Sequence, residues 1–216
     1  MKRIRIIVMV VAVVVIGVVA IVCFRAREPR YQGRTLSEWI WVGTDHIETS
    51  PEWSEANNAV KQIGTNAIPF LLEWVQAEDT PQKEKVVFWL NEHAPFHFHI
   101  ESAADRRFAA RMGFMMLGNE SKPAWPALSQ WTFSTNRMLR YMAFDCLAGT
   151  STDEKTMLSV LTRLLHDPDK AIQIYAARVF KDRYPQEAEQ AGVYKMFPEL
   201  TDGIMPHRHI LPPPKK

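Results

Sequence analysis

Glu92, His93, His97 and His99 form the one close grouping of side chains able to ligate a metal ion, and four nitrogen and oxygen donors would suffice for zinc. On an extended segment His97 and His99 point the same way, whereas His93 sits on a preceding helix and needs the turn at Pro95 to fold it back. The plainer reading is a loop whose Phe96 and Phe98 fill the core while the histidines face water. His207 and His209 would add ligands only if the C-terminal tail is ordered. We therefore expect no metal and no cofactor.

A second grouping is cationic. Arg106, Arg107 and Arg111 form a row on one helix, and Arg137 and Arg140 open the next. Helices at equivalent places in a repeat array stack side by side, so the five would make one patch suited to an acidic protein segment or to lipid head groups. The competing reading is a solvated face paired with Glu101 and Asp105. Among the tryptophans, Trp74, Trp89 and Trp131 fit apolar stripes and read as core, while Trp41 and Trp125 break theirs and are candidates for partner contact. No enzyme signature accompanies them. The chain has no Gly-rich phosphate loop, no paired His on a helix with Glu between, no Gly-x-Ser-x-Gly elbow and no Cys-x-x-Cys. Isolated carboxylates such as Asp145 and Glu73 are explained by solvent or ion pairing.

Composition narrows the partners. Beyond residue 30 there are 20 Lys and Arg against 23 Asp and Glu, a net charge of −3, so the basic stripe of a nucleic-acid binder is missing. Only two cysteines occur, Cys23 and Cys146, too far apart in context for a disulfide framework. Ile6 to Phe24 is a run of 19 residues without a charge, about 29 Å as a helix, which matches the apolar thickness of a bilayer. It is read as an uncleaved anchor; a cleaved signal ending near Ala20 and lipidation at Cys23 are the alternatives. The expectation is a single-pass protein of the cell membrane with an extracytoplasmic body.

The elements that must position these residues are helices. A phrase recurs: Ala59 to Ile63 before Gly64, Gly113 to Leu117 before Gly118, Ala143 to Leu147 before Gly149, and Ala176 to Phe180. Each sets a tiny residue four before a large apolar one, so both share a helix face and a neighbouring helix can come close. The copies start 54, 30 and 33 residues apart, the spacing of stacked helical repeats. Thr35-Leu-Ser-Glu38 is a capping box, and Ser50-Pro51 is a helix start. Helices are predicted over 51–63, 67–77, 81–93, 103–117, 123–131, 135–148, 153–166 and 169–183, with a turn at Gly149 to Thr152 and a short helix over 186–197. The stretch 94–100 reads as an extended crossing, with no other strand pattern. The division is a basic tail 1–5, a transmembrane helix 6–24, a linker with a short helix 25–50, a repeat domain 51–200 and a disordered Pro-rich tail 201–216.

Ile63-Gly-Thr-Asn-Ala-Ile-Pro69-Phe-Leu-Leu72, Leu117-Gly-Asn-Glu-Ser-Lys-Pro-Ala-Trp-Pro126-Ala-Leu128 and Leu164-Leu-His-Asp-Pro-Asp169 with Ala176-Ala177 resemble HEAT repeats of the short bacterial type. Tyr31-Gln-Gly-Arg-Thr-Leu-Ser-Glu-Trp39 resembles the opening of bacterial membrane-anchored HEAT-repeat proteins of no assigned activity. The resemblance covers about residues 50–184. Its departures are the insert 78–102, Gly113 in place of Ala, and a degenerate last unit. It implies an all-α, right-handed α-solenoid of about four helix pairs behind one N-terminal transmembrane helix, binding other proteins and bringing no catalytic residues. The function expected is a membrane-tethered scaffold for a protein or peptide partner, contacted through Trp41, Trp125, Arg106, Arg107, Arg111, Arg137 and Arg140. A structural subunit of an envelope complex, or a helical-repeat lyase, is the alternative.

Overall fold

The computed structural model describes residues 27–45, 50–93 and 101–200. The tail 1–5, the apolar run 6–24, the 94–100 crossing with His97 and His99, and the tail 201–216 lie outside the described residues. What is described is mostly helical, and the fold class is all-α.

The chain enters through a hairpin that the linker reading misses. β1 (Arg30–Tyr31) pairs antiparallel with β2 (Arg34–Thr35) across Gln32 and Gly33, both at positive φ, 47° and 83°. Two consecutive positive φ values make the tight turn of a two-residue hairpin, where glycine is strain-free. The strands are too short for any alternation to show. α1 (Leu36–Thr44) follows under the expected capping box, with Thr35 N–H donating to Glu38 at 2.6 Å and Glu38 N–H to Thr35 Oγ1 at 3.3 Å. The Trp39 indole N–H donates to the Tyr31 carbonyl at 2.9 Å, so hairpin and helix are tied together.

α2 (Pro51–Ile63) starts at the Ser50 cap and ends at Gly64, whose φ is +60°. A 3₁₀ turn, Gly64–Ala67, then leads into α3 (Ile68–Val75). α4 (Pro81–His93) and α5 (Ala103–Leu117) come next, the latter capped by Ser102 and Asp105 and stopped at Gly118. A second 3₁₀ turn, Gly118–Ala124, precedes α6 (Trp125–Trp131). α7 (Arg137–Thr150), α8 (Glu154–Leu164) and α9 (Lys170–Arg183) complete the main elements. The last expected helix is two, α10 (Pro185–Gln190) and α11 (Val193–Met196), broken where Gly192 turns left-handed at φ +72°. Gly149 is not a stop. It lies inside α7, which runs on to Thr150 and is capped at Ser151.

α5 sits at the centre, against α1, α2, α3 and α7; α7 also packs on α6, and α9 on α8 and α10. One apolar core runs from Leu36 to Leu200. The small residues of the recurring phrase all face it: Ala59, Ala143 and Ala176 are buried, and so is Gly113. At Gly113 an added Cβ would stand 2.5 Å from Leu71 Cδ2 and 2.9 Å from Ile40 Cδ1, well inside van der Waals contact.

The expectation of a single-pass cell-membrane protein is corrected. Among the described residues no helix is long and apolar enough to cross a membrane. The longest, α5, has 15 residues, and it carries Asp105, Arg106, Arg107 and Arg111. At about 1.5 Å per residue it falls short of a bilayer core of about 30 Å.

Candidate functional site

The five arginines proposed as one patch are distributed over separate partners. Arg106 faces Glu101 with Nε 3.7 Å from the carboxylate, and that Nε is buried without a hydrogen-bond partner among the described residues. Arg107 donates to the Ala77 carbonyl at 2.5 Å, fastening the end of α3 to α5; burial draws its pKa down, against the pull of Asp79 and Glu78. Asp79 accepts from Lys83 Nζ at 2.6 Å and from the Ala103 amide at 2.8 Å. Burial raises its pKa, but these partners outweigh burial and the net shift is downward.

Arg137 and Arg140, on the first turn of α7, both reach the turn ahead of α9. Arg137 hydrogen-bonds Asp169, which raises the Arg137 pKa and lowers that of Asp169. Arg140 is buried and grips Asp167 bidentately at 2.9 and 3.1 Å, with its third nitrogen on the Ser134 and Thr135 carbonyls. These contacts join the loop before α7 to the turn before α9. Their work is structural.

Arg111 is placed differently. It projects from α5 toward α7, with Nε 2.8 Å from Asp145 Oδ2. On the other side the Tyr175 hydroxyl, from α9, donates to Asp145 Oδ1 at 2.6 Å. Three helices, α5, α7 and α9, thus meet in one chain of polar contacts. Around it lies an open groove of about 230 Å³, with Met115, Ala148 and Val179 as apolar wall. Arg183 closes one end by donating to the Ala148 and Ser151 carbonyls at 2.8 and 2.7 Å, which satisfies the C-terminus of α7. Tyr141 and Phe144 pack on the Tyr175 ring with centroids 5.7 and 5.0 Å away.

Burial and the neighbouring Asp145 push the Tyr175 phenol far up, so it stays a protonated donor at neutral pH. Burial raises the Tyr141 phenol, and burial raises the Cys146 thiol well above its ordinary value. Neither Tyr175 nor Cys146 is therefore an activated nucleophile. The groove thus sets a paired guanidinium beside an apolar wall.

Trp41 is half-buried and stacks on Phe108 of α5 at 5.9 Å. Trp125 is also half-buried; its indole N–H donates to Ser121 Oγ at 3.1 Å and Lys122 stands over its ring at 6.0 Å. Neither tryptophan lines the groove. Among the described residues no three His, Cys, Asp or Glu side chains are grouped to hold a metal. His93 closes α4, but its side chain and that of Glu92 lie outside the described residues.

Sequence reasoning passed over Tyr175, Arg183, Phe108 and Met138, and it read Asp145 as an isolated carboxylate. The signal for two of them, Phe108 and Met138, is their spacing from the small contact residue. Arg111 and Tyr141 both stand two residues before the small contact residue, and Phe108 and Met138 both stand five before it. No protein-family model, curated protein or solved structure matches this chain.

Proposed function

We propose that the chain is a scaffold of stacked HEAT-like helix pairs, a right-handed solenoid of about four units. In this reading it docks a protein or peptide segment along the outer face of α1, α5, α7 and α9 and catalyses no reaction. The observation that carries the reading is repeat-phased apolar exposure. Phe108 and Met138, at equivalent places on α5 and α7, are 39 % and 36 % exposed, and Trp41 extends the strip from α1 by stacking on Phe108. Equivalent side chains on successive repeats line up into a continuous surface, and an exposed apolar strip edged by charge is the usual mark of a binding face. A non-catalytic role is supported by the groove, where the Tyr175 hydroxyl and the Asp145 carboxylate are engaged with each other.

Peptide display against the full-length chain tests this, with the double variant F108E/M138E as counter-target. Both positions are only part-exposed, so the variant should keep the helical circular dichroism of the parent while its melting temperature falls with the lost Trp41–Phe108 stacking, and binding is compared below both melting temperatures. Selected peptides should bind the parent and lose binding to the variant. Peptides that bind both equally, or the failure of any peptide to enrich, would overturn the reading.

A separate observation favours a second one. Phe88 and Trp89 on α4 are 65 % and 58 % exposed, more than a monomer usually leaves on one helix. A structural subunit whose partner covers α4 would account for them. Sedimentation of the full chain then shows a mass above the monomer that Phe88→Glu reduces; a monomeric parent rejects it.

A further inference from the structure

We propose that the groove between α5, α7 and α9 takes a carboxylate side chain of an acidic peptide segment, held by the terminal guanidinium nitrogens of Arg111. The proposal rests on the docking reading above and narrows it to one anchor. The argument is an inventory of the donors and acceptors that face the groove.

Asp145 has both oxygens engaged, one by the Tyr175 hydroxyl at 2.6 Å and the other by Arg111 Nε at 2.8 Å. The Tyr175 proton is committed to that bond. Thr150 donates to the Cys146 carbonyl at 2.8 Å, and both terminal nitrogens of Arg183 are on carbonyls. The Arg111 terminal nitrogens remain without a hydrogen-bond partner among the described residues. A guanidinium whose Nε is already fixed offers its remaining N–H groups as a preset fork, the geometry that a carboxylate matches with two bonds. The opposing charge is Asp182, exposed at the rim of the groove.

Size and charge point the same way. Sites for whole small molecules run to about 300–1,000 Å³, and this groove is about 230 Å³, room for a side chain. Met115, Ala148 and Val179 would cover the methylenes of a glutamate. The helices α5, α7 and α9 together hold nine Arg and Lys against three Asp, while the described residues as a whole carry three more acidic than basic side chains. Positive charge is thus concentrated on the helices that build the groove. A basic side chain entering it would meet Arg111 and Arg183, with Asp145 already taken up by Arg111 and Tyr175 and the rim carboxylate of Asp182 in its favour.

The test uses short fluorescein-labelled peptides of Leu and Ala carrying one variable residue, Glu, Gln or Lys, titrated into the full-length chain by fluorescence anisotropy. The Glu peptide should bind about tenfold or more tightly than the Gln peptide, since hydrogen bonds to charged groups are the strong ones. Its affinity should fall with added salt. Arg111→Gln should bring the Glu peptide down to the Gln level, and Arg111→Lys, which keeps the charge without the fork, should fall between. Because Arg111→Gln also unpairs Asp145, Asp182→Asn supplies an arm that leaves the Arg111–Asp145 pair intact. It should tighten the Glu peptide by about two- to fivefold through lost repulsion. A Lys or Gln peptide binding as tightly as the Glu peptide, or Asp182→Asn weakening the Glu peptide, overturns the carboxylate anchor while the docking reading stands. Failure of all three peptides overturns both.

Discussion

Gly113 and Gly149 are both helical glycines, yet their surroundings make opposite demands. Replacing a helix-interior glycine with alanine gains about 0.5–1 kcal/mol of backbone propensity, whereas overpacking a core costs about 1–3 kcal/mol. At Gly113 the new methyl would meet Leu71 and Ile40 at 2.5 and 2.9 Å. Both contacts are ends of flexible side chains, so Gly113→Ala should lose about 1 kcal/mol net. At Gly149 an added Cβ meets nothing within 4 Å, and Gly149→Ala should gain about 0.5–1 kcal/mol. Urea midpoints that move in the same direction for both variants would defeat the close-contact account. Ala143, fully buried on α7, should tolerate no larger side chain, and Ala143→Leu should cost about 1–3 kcal/mol by the same measurement.

At the scale of elements, several joints between helices and their neighbouring turns are made by arginines. Arg140 and Asp167 are buried together, so removing either partner strands a charge. Arg140→Met should destabilise by about 3–5 kcal/mol, and the pair Arg140→Met with Asp167→Leu by much less. Equal losses in thermal unfolding of the single and double variants would contradict this. Asp169 gives the pH counterpart. Its folded pKa lies below the ordinary 3.8, chiefly through the Arg137 hydrogen bond, so its stabilisation is present above that value and is lost as pH falls below it. Asp169→Asn should therefore lose stability at neutral pH and show a flatter decline on acidification; an unchanged acid limb would refute the linkage. The helix starts were legible because caps are local: Ser50, Thr35 with Glu38, and Asp169 each bind amides two or three residues on. The stretches 51–63, 81–93 and 103–117 coincide with helices, each behind such a local cap, Ser50, Thr80 and Ser102. The end of α7 was not legible, because the cation that caps its carbonyls, Arg183, comes from 35 residues away. The candidate site was legible only in Arg111. Its sequence neighbours carry the same charge, and only the fold shows that Arg107 and Arg140 are committed to carbonyls and Asp167 while Arg111, paired at Nε with Asp145, keeps its terminal nitrogens unpartnered among the described residues.

Across the whole molecule, helices pack on near neighbours; α7 packs on α5 and is joined to α9 through the contacts of Tyr175 with Asp145 and Phe144. Energetic coupling should follow that order. The losses from Gly113→Ala and Ala176→Leu, on α5 and α9, should add to within about 0.5 kcal/mol, whereas Gly113→Ala with Ala143→Leu, on touching helices, should deviate by about 0.5 kcal/mol or more. Additivity in both pairs would argue against tight seating of α5 on α7. The seating of α7 also determines the fate of Cys146, the cysteine within the described body, which is buried and keeps its proton. An alkylating reagent can reach that sulfur only when α7 lifts from its neighbours. The folded chain thus contains its own clock for breathing: the rate at which Cys146 is blocked under pulse labelling times the detachment of the helix that supplies Asp145.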